Sequence, residues 1–277
     1  MTRHTEVIKS RKNPLAQHAR AVREGREGGL IFVEGVRLAE EAVAAALNFE
    51  TVLYAESFER DERAALLLKR LRRVCERVTP VSESVLESVS DVKSSQGVVA
   101  VARRPSTGRE VIETPNTKPL VVIMHRVNNP SNACAMLRVA EAAGATAAVS
   151  TEGSTDLFSP KALRGSMGSA FRLPLWTGAS LDDVIRWCKE RGINTVASSV
   201  RAASTHTEID WTIPRAVVVG PEAGGLSAEE TALADERLRI PMRETVESLN
   251  VAAALAVVLY EAARQRGFSQ KTPSPVV

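Results

Sequence analysis

Three short stretches of this 277-residue chain carry side chains whose types and spacing suit chemistry on a bound ligand. The first is Asn128-Asn129-Pro130-Ser131-Asn132-Ala133-Cys134-Ala135-Met136-Leu137-Arg138. It follows an apolar strand, Asn132 can cap the helix it opens, and Arg138 lies roughly 9 Å further along that helix at 1.5 Å per residue. The second is Val217-Val218-Val219-Gly220-Pro221-Glu222-Ala223-Gly224-Gly225-Leu226-Ser227. Its glycines let a ligand approach bare backbone at the end of a strand, and Glu222 sets a carboxylate at the tip. The spacing matches neither the dinucleotide fingerprint nor a phosphate-binding P-loop, so an ordinary nucleotide site is excluded. The third runs Ile240-Pro241-Met242-Arg243-Glu244-Thr245-Val246-Glu247-Ser248-Leu249-Asn250-Val251. It joins a Pro-terminated strand to a polar loop and an apolar helix, so Ser248 and Asn250 offer hydrogen-bonding groups where that helix begins. The first stretch alone is also satisfied by a helix cap and a surface arginine, and the third by a helix cap.

To bring the three together, the chain needs a sheet whose strands end on one edge. Leu120–Met124, Ala147–Ser150, Thr195–Ala197 and Ala216–Val219 are short apolar runs, and they alternate with helical patterns. Those helices run from Ala133 to Ala143, from Ser159-Pro160 onward, from Ser180 to Gly192, and from the capping box of Ser227 with Glu230. Alternation of this kind predicts an α/β domain with a mostly parallel sheet, whose ligands bind beyond the carboxyl ends of the strands. The helix after Asn250 is apolar nearly all round, which calls for burial or a subunit interface.

Upstream, a basic helix near Pro14 to Glu24 precedes strands at Leu30–Val33, Thr51–Tyr54 and Val98–Val101. Helices over Val36–Leu47, Ala64–Arg73 and Glu83–Val89 lie between them, a compact α/β module of about 100 residues. Turn formers at Arg103–Arg109 separate the two parts. The division expected is a first domain at 1–105, a linker at 106–117, a second domain at 118–268 and a disordered tail at 269–277.

Bulk properties narrow the class. There are 44% hydrophobic and 25% charged residues, ordinary for a globular protein, and no apolar run of membrane-spanning length or signal-peptide core. A cytoplasmic protein with no membrane partner is expected. Three cysteines and four histidines lie too far apart for a disulfide framework or a zinc site, so no metal is expected. A net charge of +3 does not by itself indicate nucleic acid. Its distribution says more: Lys9, Arg11, Lys12, Arg20, Arg23 and Arg26 crowd the first segment, where phosphate contact is favoured. Lys69, Arg70, Arg72, Arg73 and Arg77 form a second cluster that fits a solvated helix face equally well.

Together, in order and spacing, the three stretches resemble the three motifs of the SPOUT superfamily, specifically its TrmH-like (SpoU) RNA ribose 2′-O-methyltransferases. The N-terminal part, with Ser10-Arg11-Lys12-Asn13-Pro14-Leu15 and Phe32-Val33-Glu34-Gly35-Val36-Arg37-Leu38, resembles that family's RNA-binding domain, which is similar to a ribosomal-protein fold. The resemblance implies a trefoil-knotted C-terminal α/β domain, a homodimer through that domain, and S-adenosylmethionine as cofactor. It also implies methyl transfer to a ribose 2′-hydroxyl of structured RNA, rRNA ahead of tRNA. By position it carries over Gly220, Ile240 and Leu249 as cofactor contacts, and Asn132, Arg138, Glu222, Ser248 and Asn250 as catalytic and substrate-positioning residues. Arg11, Lys12, Arg37 and Arg164 are implied RNA contacts. Ser131 and Cys134, Pro221, and Glu244 stand where the family commonly has glycine, asparagine and glycine. A tRNA methyltransferase, or an RNA-binding assembly protein with a decayed cofactor pocket, stays open as an alternative. Arg138 is the family's proposed base; a guanidinium gives up its proton with difficulty, so a clamp on the phosphate beside the target ribose fits the chemistry better.

Overall fold

The computed structural model describes residues 6–113 and 118–267. The expected tail and residues 114–117 of the expected linker lie outside the described residues. The chain divides into two compact units, Met1–Ser106 with Asp156–Arg172, and Thr107–Thr155 with Leu173–Val277.

The first unit holds α1 (Pro14–Arg23), β1 (Leu30–Glu34), α2 (Val36–Ala44), β2 (Phe49–Ala55), a 3-10 turn at Glu56–Arg60, α3 (Glu62–Val74), β3 (Val78–Val81), α4 (Glu83–Val89) and β4 (Val98–Arg103). Its sheet runs β1-β4-β2-β3; β4 is antiparallel to both neighbours, and β2 and β3 are parallel. Asn13 starts α1 by accepting from the Leu15 amide, with Pro14 in the first turn where its missing N–H costs nothing. Ala16, Ala19 and Val22 on α1 then pack with Val85, Leu86 and Val89 of α4 against Phe32, Leu53, Val99 and Val101 of the sheet.

The second unit contains α5 (Arg109–Ile112), β5 (Leu120–Met124), α6 (Pro130–Ala142) and β6 (Ala147–Thr151). The chain then passes through α7 (Pro160–Ser166) and α8 (Ser169–Arg172), which group with the first unit rather than the second. α7 packs against β1, and ion pairs reinforce the grouping: Arg164 meets Glu34 and Asp91, Arg172 meets Glu41, and Arg104 meets Asp156. The second unit resumes with β7 (Leu175–Ala179), α9 (Leu181–Glu190), β8 (Asn194–Ser198), β9 (Arg215–Val219), α10 (Ala228–Ala232), β10 (Glu236–Leu238) and α11 (Val251–Gln265).

This sheet has the order β10-β8-β9-β5-β6-β7 with every pairing parallel, matching the mostly parallel sheet expected. Every residue of β5, β6 and β9 is buried, as strands covered on both faces must be. Val121, Ile123, Val149 and Val218 share a core with Trp187 and Val184 of α9. The strand expected at Ile240 lies slightly earlier, over Glu236–Leu238, with Arg239 adding one parallel bridge to Thr205. No helix among the described residues is long and apolar enough to cross a membrane.

Candidate active site

β5 and β9 lie side by side at the centre of the sheet, with Met124 paired to Val219. From β5 the chain proceeds to β6 and β7 on one side; from β9 it proceeds to β10 on the other. The carboxyl ends of β5 and β9 are therefore a switch point, where the loops after two neighbouring strands diverge and leave a crevice. The first two sequence motifs are the two loops that leave this point.

The first motif begins α6, but its cap is Asn129 rather than the expected Asn132: Asn129 Oδ1 accepts from the Ser131 amide at 2.9 Å. Pro130 sets the first helical position, so Asn132 falls inside the first turn, half-buried. Its side chain is thereby released for another partner. That partner is Asn250, whose Nδ2 donates to Asn132 Oδ1 at 3.0 Å. Asn250 caps α11, with Oδ1 accepting from Ala252 at 3.0 Å and Ala253 at 3.3 Å. Two backbone N–H groups demand an oxygen at one end of the amide, so the NH2 must be the end that faces Asn132. Motifs one and three are thus joined through the starts of α6 and α11, helices that pack against each other.

The remaining candidates occupy surface positions. Arg138 is exposed on α6 and has no carboxylate partner among the described residues; Glu222 and Ser248 are exposed without a hydrogen bond to another member of the set. Leu249 is 40% exposed although apolar, and Ile240 is half-buried. Gly220 is buried beneath its own loop, where a Cβ would come within 2.6 Å of the Leu226 nitrogen and 2.8 Å of the Gly225 carbonyl carbon. Close approach, not unusual dihedrals, is what excludes a side chain there. Gly224 and Gly225 differ: both adopt left-handed backbone, φ +84° and +65°, with open space where a Cβ would lie.

Sequence reasoning missed a buried polar cluster at the same switch point. His125, directly after β5, is 6% exposed. Its Nδ1 lies 3.0 Å from Thr151 Oγ1, and its Nε2 lies 2.8 Å from Arg126 Nε and 3.1 Å from Glu230 Oε1. Arg126 also pairs with Glu230. Burial, helped by the Arg126 charge, holds the His125 pKa below its usual value, so the ring is neutral. One tautomer meets most of these demands: Nδ1–H donates to Thr151, Nε2 accepts from Arg126, and Glu230 pairs with Arg126. The signal available in the sequence was a histidine at a strand's carboxyl end, which metal spacing alone had dismissed. No group of His, Cys, Asp or Glu among the described residues could hold a metal ion. Two cavities, of about 320 and 380 Å³, open near the ends of β5, β6 and β7; neither is lined by any catalytic or cofactor residue expected from sequence.

In the first unit, Lys12 and Arg37 are exposed, and exposed Arg11 donates from Nε to the Ser84 carbonyl at 3.2 Å. Arg164 is engaged: Nη2 donates to Asp91 Oδ2 at 2.7 Å and Nη1 lies 3.5 Å from Glu34 Oε2. The basic first segment is partly spent as well. Arg23 donates to the carbonyls of Val89 and Ser90 at the end of α4, Arg20 reaches Ser88 and the Arg11 carbonyl, and Arg26 pairs with Glu24. Of the second basic cluster, Arg72 is taken by Glu59 and Tyr54.

Comparison with known proteins bears on this geometry. Residues 119–260 match the SpoU rRNA Methylase family, and residues 16–100 match the MRM3-like substrate binding domain. An uncharacterized tRNA/rRNA methyltransferase of Synechocystis is 32% identical over 99% of this chain and 98% of its own length. The 23S rRNA (guanosine-2'-O-)-methyltransferase RlmB of Bordetella pertussis is 34% identical, covering 77% of this chain and 89% of its own. Among solved structures, the AdoMet-bound rRNA methyltransferase of Sinorhizobium meliloti superposes with a TM-score of 0.82 at 26% identity, covering 94% of this chain and 97% of that one.

Proposed function

The chain belongs to the SpoU rRNA methylase family, and from that premise we propose that it transfers a methyl group from S-adenosylmethionine to a ribose 2′-hydroxyl of structured RNA, rRNA ahead of tRNA. The hydrogen bond from Asn250 to Asn132 carries the reading. It ties the third motif to the first, beside the crevice where the second begins, so residues from three distant stretches can act on one ligand.

The residues present fit the cofactor. Gly224 and Gly225 leave backbone open to a ligand, and Leu249 keeps an apolar side chain exposed one residue from the Asn250 cap. Gly220, Ile240 and Leu249 are the residues we assign to holding S-adenosylmethionine, which supplies a methyl group on a sulfonium whose charge disappears on transfer. The protein then has to align the hydroxyl with that methyl and help it lose one proton. Ser248 and the remaining polar capacity of Asn132 orient the hydroxyl. Arg138, without a carboxylate competitor, clamps the adjacent phosphate and stabilises developing alkoxide charge. Glu222 stands at the tip of the second motif as a further polar contact.

Arg11, Lys12 and Arg37 are exposed where the substrate-binding domain would meet RNA, and we assign them phosphate contacts. For Arg164 to join them, a phosphate has to displace Asp91 and Glu34. A homodimer through the second domain belongs to the reading too: Leu249, Val257 and Tyr260 leave apolar surface exposed along α11 and the loop before it. So do the trefoil knot, a catalytic domain over 118–268, and a cytoplasmic location.

Calorimetric titration of the purified chain with S-adenosylmethionine, then mapping of 2′-O-methyl sites in cellular RNA with and without the protein, tests the whole. Saturable binding and one lost ribose methyl are expected; no saturable binding would leave an RNA-binding protein. Replacing the bidentate guanidinium in Arg138→Lys should slow transfer about tenfold to a hundredfold, the equivalent of one charge-assisted hydrogen bond. Near-normal turnover would refute base and clamp alike.

A further inference from the structure

Glu230 is the third residue of α10 and completes a capping box: its Oε2 accepts from the Ser227 amide at 2.8 Å, and its own amide donates to Ser227 Oγ at 3.1 Å. A capping box uses one carboxylate oxygen. The other leaves the helix and reaches His125 and Arg126 beyond the end of β5. The Gly220–Ser227 loop is consequently tied at both ends to the same place. At its start, the Val219 carbonyl accepts from the His125 amide at 2.9 Å; at its finish, Ser227 connects through Glu230 to the Arg126 guanidinium, whose Nε donates to His125 Nε2.

The anchor is itself braced. Thr151 Oγ1, at the end of β6, meets the His125 ring at 3.0 Å and the Arg126 amide at 3.2 Å. Arg126 adopts φ +49°, a left-handed conformation costly for a side chain of this size. Gly153 leaves room for it, since a Cβ there would lie 3.3 Å from Arg126 Cγ. Three residues after Arg126 comes Asn129, the cap of α6 and thus the start of the helix bearing Asn132 and Arg138.

We propose that Glu230, His125 and Arg126 form a positioning cluster that couples the Gly220–Ser227 loop to the loop from His125 to Asn132, so that filling the first fixes the second. None of the three contacts the reacting groups. The inference rests on the reading of Gly220–Ser227 as part of the cofactor site.

Hydrogen–deuterium exchange of the full chain with and without S-adenosylmethionine tests it. In the wild type the cofactor slows exchange at least threefold in both 220–227 and 125–132. Glu230→Gln keeps an oxygen for the Ser227 amide but loses the charge that holds Arg126. In that variant the slowing persists in 220–227 and vanishes in 125–132, while affinity for the cofactor changes less than threefold. If Glu230→Gln does not fold, His125→Asn gives the same readout, because it keeps a donor for Thr151 and removes only Nε2. Cofactor that does not bind the wild type refutes the cofactor reading, and the coupling with it. Binding that slows 220–227 alone in the wild type, or a variant that behaves as wild type, overturns the coupling and leaves the cofactor reading standing. Loss of folding stability together with protection in both segments would reduce the cluster to a structural role.

Discussion

Asn250 performs two tasks that substitution can separate. Its Oδ1 caps α11 through two backbone amides, and its Nδ2 reaches Asn132 at 3.0 Å. Asn250→Ala removes both. Loss of an N-cap costs about 1 kcal/mol and loss of a hydrogen bond between partly exposed amides about another 1 kcal/mol at most. For a protein of this size each kcal/mol moves the melting temperature by about 2–4 °C, so a fall of about 4 °C is expected. Asn250→Ser restores the cap, since serine ranks with asparagine there, but its hydroxyl is too short to span to Asn132. It should melt about 2 °C below the wild type, roughly half the fall of Asn250→Ala, yet transfer methyl groups at least about tenfold more slowly, because a small misplacement of aligned groups is costly. The assay pairs calorimetric melting with single-turnover transfer of labelled methyl to RNA that the wild type modifies. If Asn250→Ser recovered both stability and transfer, the bond to Asn132 would have no part in the site. If Asn250→Ala melted like the wild type, the cap itself would be misassigned. A cycle with Asn132→Ala closes the argument: the double variant should transfer no more slowly than the worse single variant.

Two further expectations concern the crevice. Gly220→Ala puts a methyl group against the Leu226 nitrogen and the Gly225 carbonyl, so the loop must shift; a loss of about 1–3 kcal/mol in stability and weaker S-adenosylmethionine binding are expected, and unchanged values of both would show that the loop is not held there. Burial and Arg126 hold the His125 pKa below its value in the unfolded chain, so protons bind preferentially to the unfolded state. Its contribution is complete above about pH 6.5 and declines as pH falls through that value towards the folded one. Melting temperatures from pH 7.5 down to 5.5 should fall more steeply in the wild type than in His125→Asn; equal slopes would mean that His125 is not kept neutral.

How much of this was legible depended on burial from both sides. β2, β4, β5, β6 and β9 lie inside their sheets and read as apolar runs. Of the strands that went unread or misplaced, β3, β7 and β10 all lie at sheet edges. β3 is four residues long and contains Pro80, tolerable only where no neighbour needs its N–H. β7 reads Leu-Trp-Thr-Gly-Ala and is buried only at its two ends; β10 is Glu-Arg-Leu. An edge strand has one neighbour and partial cover, so its sequence need not advertise it. The arginines were illegible for a different reason. A guanidinium carries five donors on a long stem, and whether Arg11 or Arg23 meets solvent or the carbonyls at the two ends of α4 depends on how α1 packs on α4, which local spacing does not encode.

The site shows the same division more sharply. Motif spacing located the residues now joined at the starts of α6 and α11, yet placed the cap of α6 at Asn132. Asn129-Pro130 outcompetes it, because proline at the first helical position makes the preceding residue the cap. That displacement has a consequence for function: with Asn129 capping α6, Asn132 Oδ1 is turned to Asn250 rather than to its own helix. His125 and Glu230, 105 residues apart, had no shared signal at all. One looked like an unmatched metal ligand and the other like half of a capping box. Only the pairing of Met124 with Val219, which sets the β5 and β9 loops side by side, gives the spare oxygen of that box a partner. Long-range polar contacts of this kind follow from strand register, so a sequence can display both members without displaying the contact.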